Sequence, residues 1–158
     1  MVPKLVIYNN QPNAPNPNRP LLPGACAVLI NNEGKVFLHK RIDSNFWALP
    51  GGKMKLGESI SECCWRELKE ETNLNTKIVK LIGVYTSPKI IFKFANGDVF
   101  QSFVVAFLCQ AQKGNVILNR ESKVHRWVNL KELKNLKTLP FVKKMISDAF
   151  SKKQSTFD

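Results

Sequence analysis

Of the five glutamates in the stretch from Gly52 to Leu74, GKMKLGESISECCWRELKEETNL, four stand out together with an arginine: Glu58, Arg66, Glu67, Glu70 and Glu71. Glu67, Glu70 and Glu71 stand at i, i+3 and i+4, so on a helix their side chains project to one patch. Buried carboxylates are rare unless a cation neutralises them, and Arg66 alone cannot neutralise three. A patch of carboxylate oxygens suits a hard divalent cation such as Mg²⁺. The residues by themselves therefore read as a metal site. The competing reading is a solvated i, i+4 ladder of Glu62, Arg66 and Glu70, worth about 0.2–0.5 kcal/mol per pair; it leaves Glu67 and Glu71 without a role.

The element that must carry these groups is a helix from about Glu58 to Thr72. Ser59 and Glu62 resemble a capping box, the interior lacks Gly and Pro, and Asn73 suits a left-handed stop. At about 100° per residue, Ile60, Cys63, Cys64 and Leu68 mark the buried face, and Glu67, Glu70 and Glu71 fall on it. Ser61, Glu62, Trp65, Lys69 and Thr72 fall mainly elsewhere.

Around this unit the pattern is one of strands. The first 23 residues hold Pro3, Pro12, Pro15, Pro17, Pro20 and Pro23, which favours an extended arm, with Leu5 to Tyr8 either an edge strand or a dimer contact. Ala25 to Ile30 and Lys35 to His39 read as a hairpin closed by Asn31-Asn32-Glu33-Gly34, and a third extended segment ends at Leu49. Further strands span Lys77 to Tyr85, Lys89 to Phe94, Val99 to Cys109 after an Asn96-Gly97 turn, and Val124 to Val128. Asn129 is placed to cap a helix over Leu130 to Leu136, and Pro140 to begin a last helix ending near Ser151. The sum is an α+β fold with a curved mixed sheet, divided into an arm (1–23), a folded domain (24–151) and a tail (152–158).

The 158 residues, 44% hydrophobic and 23% charged, are enough for one core. Apolar runs such as Ala25 to Ile30 fall far short of the roughly 20 residues that span a membrane, and no leader pattern opens the chain, so a cytoplasmic address is expected. Cys26, Cys63, Cys64 and Cys109 lack paired spacing and read as free thiols, three of them in the core; His39 and His125 are isolated from them, which argues against zinc. The net charge of +12 attracts polyanions: either a nucleotide or nucleic-acid substrate, or nothing more than solvent around a basic surface.

The same residues resemble the signature of the Nudix hydrolases: Gly, five residues, Glu, seven residues, then Arg-Glu-hydrophobic-X-Glu-Glu-X-Gly-hydrophobic. Gly52, Glu58, Arg66, Glu67, Leu68, Glu70, Glu71 and Leu74 match in order and spacing. Asn73 stands where the family has Gly, and Asn tolerates a left-handed backbone next best. The lead-in Trp47-Ala48-Leu49-Pro50-Gly51-Gly52 looks like that of MutT-like members, and the broader resemblance covers roughly Gly24 to Phe150.

What the resemblance implies is an α/β/α sandwich that hydrolyses a nucleoside diphosphate linked to another moiety, an ADP-ribose-like compound or a (deoxy)nucleoside triphosphate, with Mg²⁺ or Mn²⁺. Carried over by position, Glu67, Glu70 and Glu71 are metal ligands and the Gly52 carbonyl a further one. Arg66, one turn before Glu70, orients that carboxylate, and Glu58 supports the group from the helix start. The general base comes from the signature helix or from a distant loop carboxylate, for which Glu121 is the candidate. Phe46, Trp47, Tyr85 and Phe92 are aromatics able to stack on a base, although large aromatics also fill cores. Two alternatives stand beside this reading: hydrolysis at an RNA 5′ end, and a nucleotide sensor that binds without cleaving. The three retained carboxylates count against the sensor. Homodimers are common among relatives, so a homodimer is an expectation by analogy.

Overall fold

The segment LPGACAVLI is apolar at nearly every position, and a strand of that kind must be covered on both faces. It forms β2 (Leu22–Ile30) in the centre of a mixed sheet, parallel to β8 (Val99–Ala111) in register from Leu22↔Ser102 to Ile30↔Gln110. The computed structural model describes residues 5–151 and 156–157. The remaining elements are β1 (Leu5–Asn9), β3 (Val36–Arg41), β4 (Trp47–Ala48), β5 (Gly51–Lys53), α1 (Ile60–Thr72), β6 (Thr76–Tyr85), β7 (Ile90–Phe94), β9 (Ser122–Val128), α2 (Leu130–Leu133), α3 (Val142–Ala149) and β10 (Thr156–Phe157). The main path of the sheet runs β1-β7-β8-β2-β3-β4; β6 also pairs with β8, β5 with β2 and β9 with β3.

Alternation along β2 and β8 divides the core into two layers. Ala25, Ala27 and Leu29, with Phe107 and Cys109, pack against Cys63, Cys64 and Leu68 of α1. Val28, Ala106 and Leu108 face the other way, against Met145, Ile146 and Ala149 of α3. Period-2 side-chain alternation thus gives each helix its own apolar surface, and each fully buried aliphatic side chain contributes about 1.5–3 kcal/mol. The result is the α/β/α sandwich.

Several local expectations hold and several are corrected. Helix α1 begins at Ile60 with Ser59 as its cap: Glu62 N donates to Ser59 Oγ at 3.3 Å and Ser59 N to Glu62 Oε2 at 2.7 Å. Asn73 takes the left-handed position at φ 60°. Thr72, placed off the buried face by sequence, is fully buried because its hydroxyl donates to Leu68 O at 2.6 Å and accepts from Leu74 N.

The hairpin of β2 and β3 forms only at its mouth, with Ile30↔Val36 as its one ladder pair. Beyond it the strands part, β2 to β8 and β5, β3 to β9 and β4. Helix α2 stops at Leu133 rather than Leu136. Helix α3 spans Val142–Ala149, later in start and earlier in end than Pro140 suggested, because Phe141 takes a left-handed φ of 69° between the proline and the first turn. The Leu5 to Tyr8 segment is an edge strand, antiparallel to β7 from Leu5↔Phe94 to Asn9↔Ile90. The first four residues and most of the tail lie outside the described residues. No helix among the described residues is long and apolar enough to cross a membrane.

Candidate functional site

Strand β5 pairs with β2 through Ala25↔Gly52 and Cys26↔Gly51, which lays the two glycines beside α1. The approach is closer than any side chain permits. A Cβ on Gly51, at φ 155°, would lie 2.3 Å from Ala25 O, and one on Gly52 would lie 2.5 Å from the Glu67 carboxyl carbon. The missing side chains let backbone and carboxylates share one space.

Glu71 is 2% exposed, and its Oε2 accepts a 2.7 Å hydrogen bond from Gly51 N. Burial pushes its carboxyl up to about 8, the backbone N–H of Gly51 opposing, with the negative charge of Glu67 and, further off, Glu121 adding to the rise. Glu67, one turn earlier, is also raised by burial, against the pull of Arg66. Arg66 is the hub of the group: Nη1 donates to Glu67 Oε1 at 2.7 Å, Nε and Nη2 grip Glu58 at 2.9 and 2.8 Å, and Nη2 reaches Lys53 O at 2.9 Å. That forked contact holds the Glu58 carboxyl down to about 2.

One expectation about the carboxylates is corrected. Glu70 is not on the buried face: its side chain is 50% exposed and turns to Lys55 at 3.5 Å and Arg66 at 3.4 Å. On a helix of 3.6 residues per turn Glu70 and Glu71 lie about 100° apart, so when Glu71 points inward Glu70 falls at the rim. Accordingly, among the described residues no three His, Cys, Asp or Glu side chains stand gathered as a ready metal cluster. Arg66, expected to orient Glu70, is held more closely by Glu58 and Glu67.

The donor set nevertheless fits a hard cation. Glu67 and Glu71 stand one turn apart against the glycine backbone, Glu71 buried and the Glu67 side chain 13% exposed, with Glu70 beside them at the rim. All of these donors are oxygens, the chemistry that Mg²⁺ and Mn²⁺ select.

Beside this group lies a cavity of about 1050 Å³, a size suited to a nucleotide. Gly51, Gly52, Arg66, Glu67 and Glu70 form its acidic side, and Lys53, Lys55, Arg41 and Arg120 supply cations around it. Glu121 is exposed and lines the same cavity, so the structure brings this loop carboxylate to the signature helix. The opposite wall is apolar: Phe92 and Phe94 flank Phe100, with ring centres 5.6 Å apart in both pairs, and Lys53 Nζ sits 5.2 Å from the Phe94 ring centre.

Of the aromatic candidates, Phe92 reaches the cavity and the other three do not. Tyr85 is fully buried between sheet and α3, its hydroxyl donating to Asp148 Oδ2 at 2.7 Å. Trp47 is core, with the Arg126 guanidinium over its ring, and Phe46 lies on the outer surface beneath Lys137. Trp47 belongs to the core layer that holds Met145 and Ile146 of α3, not to the one that holds Cys63, Cys64 and Leu68 of the signature helix. Phe94, Phe100, Lys53 and the Arg41–Asp43 ion pair, Nε to Oδ1 at 2.8 Å, are site residues that sequence reasoning missed. The i, i+2 spacing of Phe92 and Phe94 on a predicted strand was the available signal, since it puts both rings on one face.

The NUDIX domain family model matches residues 20–149. A Pelagibacter ubique protein named RNA pyrophosphohydrolase is 34% identical over 132 residues, covering 75% of this chain and 83% of that one. An ADP-ribose pyrophosphatase of Methanocaldococcus jannaschii is 44% identical over 63 residues, but the match spans only 38% of this chain and 37% of that relative. In structure the chain is similar to the MutT protein from Methanosarcina mazei, with a TM-score of 0.69 at 21% identity over 84% of this chain and 94% of that one, which supports the fold. With the family model spanning all but the ends, and the signature residues converging on one cavity, the chain belongs to the Nudix hydrolase family.

Proposed function

We propose that this protein hydrolyses the pyrophosphate bond of a nucleoside diphosphate linked to another group, with Glu67, Glu71 and Glu70 holding a divalent cation, Mg²⁺ or Mn²⁺, aided by the Gly52 carbonyl. The observation that carries this reading is the pair of buried Glu71 and partly buried Glu67 set against the side-chain-free Gly51-Gly52 backbone at the edge of a nucleotide-sized cavity. When bound, such a cation screens phosphate charge and lowers the pKa of an attacking water. The Gly51 N–H fixes the Glu71 rotamer, and Arg66 fixes Glu67 while tying the helix to the Lys53 carbonyl. Lys53, Lys55 and Arg120 offer positive charge to substrate phosphates, and Phe92, Phe94 and Phe100 offer an apolar wall to a base. Glu121, exposed at the cavity wall, is the candidate proton acceptor.

The name of the Pelagibacter relative, matched over most of both chains, favours a 5′ RNA end as a second substrate. A binding-only sensor has less support, because every carboxylate of the signature is present.

Product analysis by chromatography tests the proposal. Wild type and Glu71→Gln, with Mg²⁺ or Mn²⁺ and then with chelator, are given ADP-ribose, nucleoside triphosphates, dinucleoside polyphosphates and 5′-triphosphorylated RNA. Cleavage to a nucleoside monophosphate or to a 5′-monophosphate end, lost in the variant and with chelator, is the expected result. Metal-independent turnover, or equal turnover by the variant, overturns it.

A further inference from the structure

The chain that leads away from the cavity carries positive charge for which the hydrolytic site has no use. Between Ser122 and Lys144, Glu132 is the one acidic residue, and its Oε2 accepts from Asn129 N in the cap of α2. Lys123, Arg126, Lys134, Lys137 and Lys143 of that stretch are exposed, and among the described residues none of the five forms an ion pair. Lys144, by contrast, pairs with Asp148 at 2.9 Å.

These cations are gathered. Three of them, from β9 and from the loop before α3, converge on the tripeptide Asn45-Phe46-Trp47. Lys123 Nζ is 3.2 Å from Asn45 Oδ1, Lys137 Nζ is 4.7 Å from the Phe46 ring centre, and Arg126 Cζ is 5.7 Å from the Trp47 ring centre. The backbone ties the loop in place, with Trp47 N donating to Lys137 O at 2.9 Å and Leu139 N to Trp47 O at 3.0 Å. Lys143 Nζ then reaches Lys134 O at 3.0 Å, so the ridge continues across the α2–α3 connection. The chain that carries the ridge runs into the cavity wall, which includes Arg120 and Glu121 just before Lys123, and Leu139 to Val142 between Lys137 and Lys143.

Unpaired cations held side by side without carboxylates repel one another, and a polyanion laid along them relieves that repulsion while releasing its own counterions. A mononucleotide derivative, held in the cavity, leaves the ridge unused. A chain of phosphates leaving the cavity mouth meets it. We infer that the ridge of Lys123, Arg126 and Lys137 over Asn45-Phe46-Trp47, continued by Lys134 and Lys143, is a track for the phosphate backbone of single-stranded RNA whose 5′-terminal pyrophosphate enters the cavity. The inference rests on the hydrolase reading above and names its substrate class.

The test pairs cleavage with binding, in wild type and in the triple variant Lys123→Glu/Arg126→Glu/Lys137→Glu. With Mg²⁺, the wild-type KM falls about tenfold or more from a nucleoside triphosphate to a 5′-triphosphorylated oligoribonucleotide of about ten residues. The variant loses that advantage while its kcat/KM on the nucleoside triphosphate is unchanged. For a fluorescent RNA with a 5′ hydroxyl, the slope of log affinity against log salt becomes shallower by about 2 in the variant, from three phosphate contacts at about 0.7 each. A KM independent of RNA length, or equal salt slopes, overturns the track. If no substrate is cleaved but the slopes still differ, the hydrolase reading fails and the RNA surface stands. Binding to phosphatidylserine vesicles that the variant loses, without any RNA length effect, overturns the track in favour of an anionic membrane surface. Should the glutamate variant fail to fold, Lys123→Gln/Arg126→Gln/Lys137→Gln carries the same comparison.

Discussion

The carboxylate of Glu71 accepts a hydrogen bond from the backbone N–H of Gly51, 20 residues earlier, at 2.7 Å. This contact joins the middle layer of the sandwich to the helix that covers it, next to Gly52, where a Cβ would run into the Glu67 carboxylate. The geometry of the acidic group depends on it, because it fixes which of the three helix carboxylates points inward.

Glu71→Gln keeps an acceptor for the Gly51 N–H and removes the charge. The expected outcome is a fold unchanged by circular dichroism and a loss of kcat larger than the 10–100-fold typical of a supporting residue. Steady-state kinetics in Mg²⁺ check it, and a variant within a few-fold of wild type rules out Glu71 as a metal carboxylate.

Arg66→Lys retains the charge but not the planar fork that grips Glu58 and Glu67 together. Activity should fall about 10–100-fold, with KM for substrate little changed, as for other groups that orient a metal carboxylate. A larger effect on KM than on kcat would point instead to direct contact with substrate.

Gly52→Ala places a Cβ 2.5 Å from the Glu67 carboxyl carbon, so the carboxylate must move. A side chain can yield where backbone cannot, so the expected cost in stability is at the low end of the about 1–3 kcal/mol of overpacking. Activity should suffer far more than the melting temperature. Gly24→Ala is the control: its Cβ meets the Gly52 carbonyl at 2.4 Å, backbone against backbone, and should lower the melting temperature more.

Tyr85→Phe removes one buried hydrogen bond, to Asp148, and should cost about 1 kcal/mol in denaturant unfolding while leaving KM untouched. Phe92→Ala opens the apolar cavity wall and should raise KM about two- to tenfold, the equivalent of about 0.5–1.5 kcal/mol of ring stacking. The reverse pattern would return Tyr85 to the substrate site.

His39 is buried, with Nδ1 2.5 Å from Ser122 Oγ, and burial lowers its pKa to about 4, the nearby Arg41 charge adding to the shift. A depressed histidine is neutral in the folded state while the unfolded chain takes up a proton near the ordinary value of about 6.5. Its contribution is therefore present above about pH 6.5 and lost as pH falls towards 4, by about 3 kcal/mol. His39→Gln should flatten that part of the stability profile relative to wild type, measured by urea unfolding between pH 7 and 4. Equal slopes in the two proteins would show that His39 titrates normally.

Much of the local structure was legible because it is decided within a turn or two. The cap of α1 at Ser59 and Glu62 and the left-handed Asn73 are short-range matters of one side chain and a neighbouring N–H. The apolar run of β2 from Ala25 to Ile30 likewise appears in the order of residues. The helix limits of α3 were not legible, since Pro140 favours a start that the backbone at Phe141 postpones.

What the sequence by itself determined was the signature helix, its stock of carboxylates, most of the longer strands and the family. Those follow from residue type at fixed short spacing. Only the tertiary structure decided that Glu71 is inside and Glu70 at the rim, that Tyr85 and Trp47 are core, and that Phe92, Phe94, Phe100 and Glu121 meet across one cavity. Each of these depends on pairings between residues far apart in the chain, and a strand of period 2 offers either face until its partners choose one.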